Sequence, residues 1–323
     1  MSSNSLSDGA AILLREMWQN RAMTLRPLSR ADADPLLEMW NVSARYDPMT
    51  PELLQEKTWD DDNFDPATTL ISEEDGEITG FMAGLLRQTD DGLRGVIKLA
   101  AVAADHRRQG LGSHLLHRVE SLLVERGAKT IRVCESPPNY LTPGVDGRYS
   151  AAPHFFEKHG YRRWGEACNM TVDLEGRSFS SRDEELALGE FGTEVRRARP
   201  DDVDAVMKLL DQHWPPWKAE ISQSLLNHPT SLHLALREGA VIAFAAWDAN
   251  NRGTGWFGPM GTAPEARRQG IGHVLLFRCL SDIAQAGHHT ATIPWVDPVG
   301  FYEQCVSAAV SRIFHRYEKV LIP

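Results

Sequence analysis

Arg107-Arg108-Gln109-Gly110-Leu111-Gly112 recurs as Arg267-Arg268-Gln269-Gly270-Ile271-Gly272, an offset of 160 residues (267 − 107 = 160). The flanks keep this register. Leu111, Leu115, Leu116, Val119, Leu122 and Leu123 follow the first copy at helical spacing, and Ile271, Val274, Leu275, Leu276, Cys279, Leu280 and Ile283 follow the second. Gly127 and Gly287 then stand where helix-ending glycines belong. The pattern predicts strands before each copy, over Val96 to Val102 and Trp256 to Thr262. It predicts others after each helix, over Thr130 to Val133 and Thr290 to Ile293. A repeat this long means two whole domains, because solenoid periods run about 20–50 residues.

Glycines at the start of a helix leave backbone N–H groups uncovered and let a ligand approach the main chain. The helix dipole adds partial positive charge, and two arginines stand beside each loop. Such a place suits a pyrophosphate. Neither copy is a P-loop, because no Gly-Lys-Ser/Thr follows, and neither has the Gly-x-Gly-x-x-Gly of a dinucleotide fingerprint. A turn with two solvated arginines is the bland alternative, and its occurrence twice in matching contexts weighs against it.

The spacing divides the chain into an N-terminal extension over 1–22, a first domain over 23–173, a linker over 174–193 and a second domain over 194–323. A short helix is expected around Ala10 to Trp18 of the extension. The stretch Leu174 to Thr193 is polar and aperiodic, which reads as linker. Hydrophobic content of 42% supports two ordinary cores, and no apolar run approaches the roughly 18 residues of a membrane span. Four cysteines lack C-x-x-C spacing, which favours a reducing, cytoplasmic setting. No metal site is expected, and the His288-His289 pair reads as a turn. A net charge of −10 argues against nucleic acid as a partner.

Arg/Gln-x-x-Gly-x-Gly/Ala between a strand and a long helix resembles the acyl-CoA loop of the GNAT superfamily of N-acetyltransferases. Each half also opens like that family, with Thr24-Leu25-Arg26-Pro27 before Ala33 to Trp40, and Val195-Arg196-Arg197-Ala198 before Asp202 to Leu210. Phe155-Phe156-Glu157-Lys158-His159-Gly160-Tyr161 and Phe301-Tyr302-Glu303-Gln304 are similar to its last helix. The resemblance implies an α/β (α+β mixed-sheet) fold: two GNAT-like domains in tandem, related by a pseudo-twofold. It implies acetyl-CoA as co-substrate, with no metal, held by Val102, Arg107, Arg108, Gln109, Gly110, Leu111, Gly112 and Ser113. Thr262, Arg267, Arg268, Gln269, Gly270, Ile271, Gly272 and His273 would hold it in the second half.

The implied reaction is direct transfer of an acetyl group to a primary amine in a ternary complex. An alkylamine with a pKa of about 10.4 must lose a proton first, which costs about 4–5 kcal/mol at pH 7. A carboxylate or its bound water can take that proton. The oxyanion needs a backbone N–H, and the leaving thiolate benefits from a tyrosine proton. Tyr302 fills the family's tyrosine position in the second half, whereas Phe156 fills it in the first. Yet Cys305-Val306-Ser307 replaces His159-Gly160-Tyr161, and Pro259 implies a bulge in the second half's strand. The first half carries an insertion, Ser136 to Tyr149, in which Tyr140 or Tyr149 could supply the acid and Glu135 the base. The insertion could equally be a packing element.

Trp59-Asp60-Asp61-Asp62 borders the expected acceptor region, where Asp60 and Asp61 would attract a cationic amine, unless this is only a solvated turn. Trp214 and Trp217 hold the comparable place in the second half and could stack a ring, or simply pack a loop. A small-molecule amine is the expected acceptor: an aminosugar, an aminocyclitol or another cation. A protein or peptide acceptor, or a non-catalytic acyl-CoA sensor or scaffold, are the alternatives. The chain is expected to be a monomer or homodimer away from membranes.

Overall fold

The computed structural model describes residues 24–321. The expected N-terminal helix around Ala10 to Trp18 lies outside them. The described chain forms two compact units that do not follow the expected boundaries. The first holds the chain up to Cys134, Lys158–Arg162 and the residues from Glu318 on. The second holds Glu135–Glu157 and Arg163–Tyr317.

In the first unit, β1 (Thr24–Pro27), β2 (Phe64–Glu74), β3 (Glu77–Thr89) and β4 (Gly92–Val102) pair antiparallel in that order. The short β5 (Thr130–Val133) joins β4 in parallel. Helices α1 (Ala33–Ser43) and α2 (Pro51–Lys57) precede β2, and α3 (Leu111–Glu125) links β4 to β5. Residues alternate along β3, so its two faces meet different helices. Phe81 meets the α1 residue Trp40 edge to face at 6.2 Å. A Cβ on Gly84 would stand 2.5 Å from the Val119 side chain, so α3 rests on the strand backbone itself.

The second unit starts with β6 (Val145–Asp146), α4 (Ala151–Lys158, all but its last residue) and β7 (Arg162–Asp173, from its second residue). The 174–193 stretch, expected as a linker, is folded here. It carries α5 (Arg182–Glu190), and Leu174, Phe179 and Leu188 enter the core, whereas Leu186 and Phe191 stay exposed. Strands β8 (Thr193–Arg197), β9 (Leu232–Arg237), β10 (Ala240–Trp247) and β11 (Phe257–Thr262) pair antiparallel in sequence. Between β8 and β9 run α6 (Val203–His213) and α7 (Lys218–Leu226). Helix α8 (Ile271–Gln285) leads to β12 (Thr290–Ile293), and α9 (Val299–Val306) precedes β13 (Ala309–Val320). Alternation again splits the core: Ala243 and Ala245 pack with Val274 and Leu275, whereas Phe244 and Ala246 pack with Val206 and Ile221.

The last strands change hands. β7, which closes the first sequence repeat, pairs antiparallel with β12 of the second unit, Met170 facing Ile293. The end of β13, which closes the second repeat, pairs with β5 of the first, Glu318 facing Arg132. A salt bridge of 2.8 Å joins that pair.

A buried polar network ties the second unit's helices to its sheet. Asp282 of α8 accepts bonds from Arg197, from His233 Nε2 at 2.7 Å and from Trp247 Nε1 at 3.2 Å. His233 is 3% exposed, and its Nδ1 has no hydrogen-bond partner. Burial pushes the imidazole below its ordinary value, although Asp282 opposes this. The unfolded chain therefore takes up a proton, near about pH 6.5, more readily than the folded one does. His233 stabilises the fold above that pH, and the contribution is lost as pH falls further. Urea unfolding between pH 7.5 and 5 is expected to show this as a slope of up to about 1.4 kcal/mol per pH unit. His233→Gln should flatten it, and an unchanged slope would show that other groups cause it.

Candidate active site

Both glycine loops adopt one backbone path. A single 3₁₀ turn is followed by an extended arginine, Arg107 or Arg267. The next arginine is left-handed, with φ of 60° at Arg108 and 62° at Arg268. Gly110 and Gly270 then hold φ of 91° and 81° at the helix N-cap, where any Cβ would be strained. No side chain caps either helix, which leaves the first-turn amides to another acceptor.

The named side chains divide into those that build the loop and those that face outward. Arg107 Nε donates to the Val102 carbonyl at 2.8 Å, and Arg267 Nε to the Thr262 carbonyl at 3.2 Å. Gln109 and Gln269 donate to the carbonyls of Asp105 and Glu265. These four side chains fasten the turn. Leu111 and Ile271 are buried, so only their backbones can serve a ligand. Arg108 and Arg268 are exposed beside the helix ends. Ser113 lies 2.9 Å from His159 Nε2, and His273 stacks near Phe277.

Each loop follows a strand whose far edge opens. Pairing of β4 with β5 stops at Ile97 facing Val133, so Lys98–Val102 run on beyond it. In the second unit, β11 ends its sheet among the described residues, and the residues just before it, Gly255 and Trp256, reach Thr292 of β12. Both strands also bulge. Ala83 faces Leu99 while Gly84 faces Ile97, which makes Lys98 the extra residue. Ala245 faces Met260 and Trp247 faces Phe257, so Gly258 and Pro259 stand against Ala246 alone. The bulge expected from Pro259 is there. An exposed strand edge leading into uncapped helix amides fits a long ligand with amide groups in its arm and a pyrophosphate at its end, as coenzyme A has.

In the second unit, α9 lies over this path. Phe301 comes within 3.7 Å of the place a Cβ on Gly272 would take. Tyr302 meets Phe257 edge to face at 6.1 Å, just before the bulge. Burial, with Cys305 adding to it, pushes the Tyr302 hydroxyl up to about 12, so it keeps its proton at neutral pH. The glycine turn missing after this helix is replaced by Ser307, which takes a φ of 54°.

The inserted loop belongs to the second unit, not with the first glycine loop. Asn250 and Asn251 hold it by bonds to the carbonyls of Tyr140 and Leu141, and Leu141 and Val145 are buried. Tyr140 is buried, its ring edge-on to Trp256 at 6.2 Å and Trp295 at 5.4 Å. Burial and then Glu220 push its hydroxyl well above the usual phenol value. Glu135 is buried and gripped by Arg316 at 2.7 and 3.1 Å, and Arg316 stacks over Trp164. Tyr149 is half-buried, its N–H donating to Asp146. Phe156 stacks near Tyr317 at 6.3 Å.

The two acidic neighbours part company. Asp60 is exposed and accepts a bond from Gln55. Asp61 is buried, and its carboxylate is engaged by Lys98 at 2.5 Å and Arg87 at 2.6 Å, which leaves it closed to an incoming amine. Burial pushes Asp61 up, yet these cations outweigh it and hold it below the carboxylate range. Burial brings Lys98 down to about 7 despite Asp61. Sequence reasoning missed Lys98, although a lysine inside Val96-Ile97-Lys98-Leu99 was the available signal. Trp214 and Trp217 are half-buried and stacked at 5.7 Å, both edge-on to Phe244. Trp214 lies directly on β11, 2.9 Å from where a Cβ on Gly261 would stand.

Comparison with known structures gives the same architecture over most of the chain. A GCN5-related glucosamine N-acetyltransferase region of a fungal multi-domain beta-N-acetylglucosaminidase matches 92% of the chain with a TM-score of 0.77 and 18% identity. The chain spans only 38% of that protein. A GCN5-related N-acetyltransferase from Sphaerobacter thermophilus matches 93% of the chain and 96% of its own length, with a TM-score of 0.70 and 17% identity. A tandem GNAT protein from the clavulanic acid biosynthesis pathway matches 93% and 99%, with a TM-score of 0.66 and 13% identity. At these identities the likeness is one of fold. A search of curated proteins finds no match. The sequence model of the acetyltransferase (GNAT) family matches residues 35–161 and again 198–305, and the chain therefore belongs to that family, with two GNAT repeats in tandem.

Proposed function

We propose that the chain moves an acetyl group from acetyl-CoA to a primary amine of a small molecule, and that the second unit carries the chemistry. The observation behind this is that β11 with its open edge, the loop Arg267–Gly272 and Tyr302 all lie within that one compact unit. Acetyl-CoA, when bound, supplies an activated thioester.

The chain's own residues do the rest. The uncapped amides after Gly270 receive the pyrophosphate, with Arg268 adding charge at the rim. The free edge of β11 pairs with the amides of the arm. Tyr302 Oη holds a proton for the departing sulfur. Glu135 could act as base only if its pair with Arg316 opened. An aminosugar, an aminocyclitol or a similar cation suits a chain of net charge −10, in keeping with the aminosugar acceptor named for the fungal neighbour. The first unit keeps the same loop path, while Phe156, the first repeat's counterpart of Tyr302, lies in the second unit and offers no proton. Binding without transfer is the reading favoured for that half.

Calorimetry with coenzyme A should count two sites. Gly270→Asp should place a carboxylate against the pyrophosphate and weaken the second site by roughly tenfold or more. Gly110→Asp should do so for the first. Turnover should fall with Gly270→Asp only, and a loss of turnover confined to Gly110→Asp would move the chemistry to the first unit.

Tyr302→Phe should lower kcat by roughly 10- to 1000-fold with little change in acetyl-CoA affinity. Because the hydroxyl titrates only at about 12, kcat should show no alkaline fall from this group below about pH 10. Thiol release by the variant at the wild-type rate would make Tyr302 a packing residue.

A further inference from the structure

Each unit holds a cavity between its glycine-loop helix and its first two strands, and the walls correspond. In the second unit the cavity, of about 310 Å³, is lined by Arg197, His233, Arg278 and Asp282. In the first, of about 540 Å³, Pro27, Leu70, Arg118 and Leu122 hold the same places. The 160-residue offset matches Arg118 and Leu122 to Arg278 and Asp282, and Pro27 faces Leu70 across its strand pair as Arg197 faces His233. The strands and Leu122 thus give the first cavity an apolar floor where the second has a polar one. Phe179 to Glu185, which lead into α5, also line the second cavity and close it from above the sheet. Glu185 grips Arg278 through both oxygens, at 2.8 and 2.5 Å, while Phe179 and Leu188 enter the core. The described residues that line the first cavity come from β1, β2 and α3 with its C-cap Arg126. Among the described residues Arg118 is exposed and meets no carboxylate.

We propose that the first cavity is the docking place of the chain's own segment Ala10 to Trp18, seated there as α5 is seated in the second unit, with Glu16 on Arg118. This does not depend on the transfer reading. Chain connection favours this occupant, because Thr24 opens β1, whose Leu25 and Pro27 line the cavity. The six steps from Trp18 to Thr24 span at most about 20 Å, enough for the chain to turn back over the wall it has yet to enter. Composition favours it too. Polar Ser180-Ser181-Arg182 covers the polar floor of the second unit. Ala10-Ala11-Ile12-Leu13-Leu14-Arg15-Glu16-Met17-Trp18 is apolar apart from Arg15 and Glu16, which suits an apolar floor with an arginine in its wall. At helical spacing Leu13, Glu16 and Met17 share one face. The first strands are offset by 170 residues (197 − 27 = 170), which matches Glu185 to position 15 (185 − 170 = 15), one residue before Glu16. An exposed ion pair contributes little by itself, so apolar burial carries the docking and Glu16 sets its register.

Limited proteolysis of the full chain tests this. Chymotrypsin cuts after Trp18 only when the segment leaves the cavity, so docking slows the cut. Ala67→Arg places a charge in the cavity wall at an exposed position and should speed that cut by roughly tenfold or more over wild type, with the site read from the peptide masses. Equal rates overturn the proposal. If Ala67→Arg does not fold, Arg118→Glu, on an exposed side chain, takes its place. Charge exchange then tests the pair. Arg118→Glu and Glu16→Arg should each speed the cut by roughly threefold, and the two together should restore the wild-type rate. Effects that merely add overturn the pairing of Glu16 with Arg118. Protection that fades on dilution would assign the segment to a second copy of the chain and overturn docking within one chain.

Discussion

A helix that begins without a side-chain cap must find acceptors for its first amides elsewhere. Both glycine-loop helices begin this way, and the loop in front of each is shaped to keep those amides clear. Only a left-handed residue can turn the chain from the strand into the helix there, which is why Gly110 and Gly270 are glycine. The same turn requires Arg107 and Arg267 to reach back and clamp the strand's last carbonyl. The open strand edge, the bulge and the helix amides then lie along one continuous path. Remove the left-handed glycine and the path loses its bend, however well the cores pack.

The local part of this design was legible in the sequence. The loops, the helices after them and the strands Thr130–Val133 and Thr290–Ile293 depend on residues close together in the chain. Pro259 announced its bulge for the same reason. What the sequence left dark depends on distant partners. β5 and β12 are short strands of similar alternation, so each could accept either closing strand, and only the folded chain shows the exchange. Asp60 and Asp61 look alike in sequence, yet one meets solvent and the other meets Lys98, 37 residues away. Ser307 gave no sign that it would take a glycine's conformation.

The two halves show how a shared backbone can carry unequal chemistry. Their loops match closely at the left-handed positions, with φ of 60° against 62° at the arginines and 91° against 81° at the glycines. Their differences lie in side chains added to that frame: lysine against glycine at the bulge, and phenylalanine against tyrosine in the last helix. A buried, fully paired ionic cluster such as Asp61 with Lys98 and Arg87 gives little net stability, because desolvation offsets attraction.

The exchange of closing strands bears on synthesis. A ribosome delivers the chain from its N-terminus, and domains ordinarily fold in that order. The first unit cannot do so completely. Its β5 edge waits for Glu318, which emerges 186 residues after its partner Arg132. Until then β5 presents unpaired backbone groups of the kind that recruit strands from other chains. The second unit, by contrast, receives β7 before its own sheet has been made. The nascent protein therefore completes its earlier-made half last, and a chaperone that shields strand edges would act on that half.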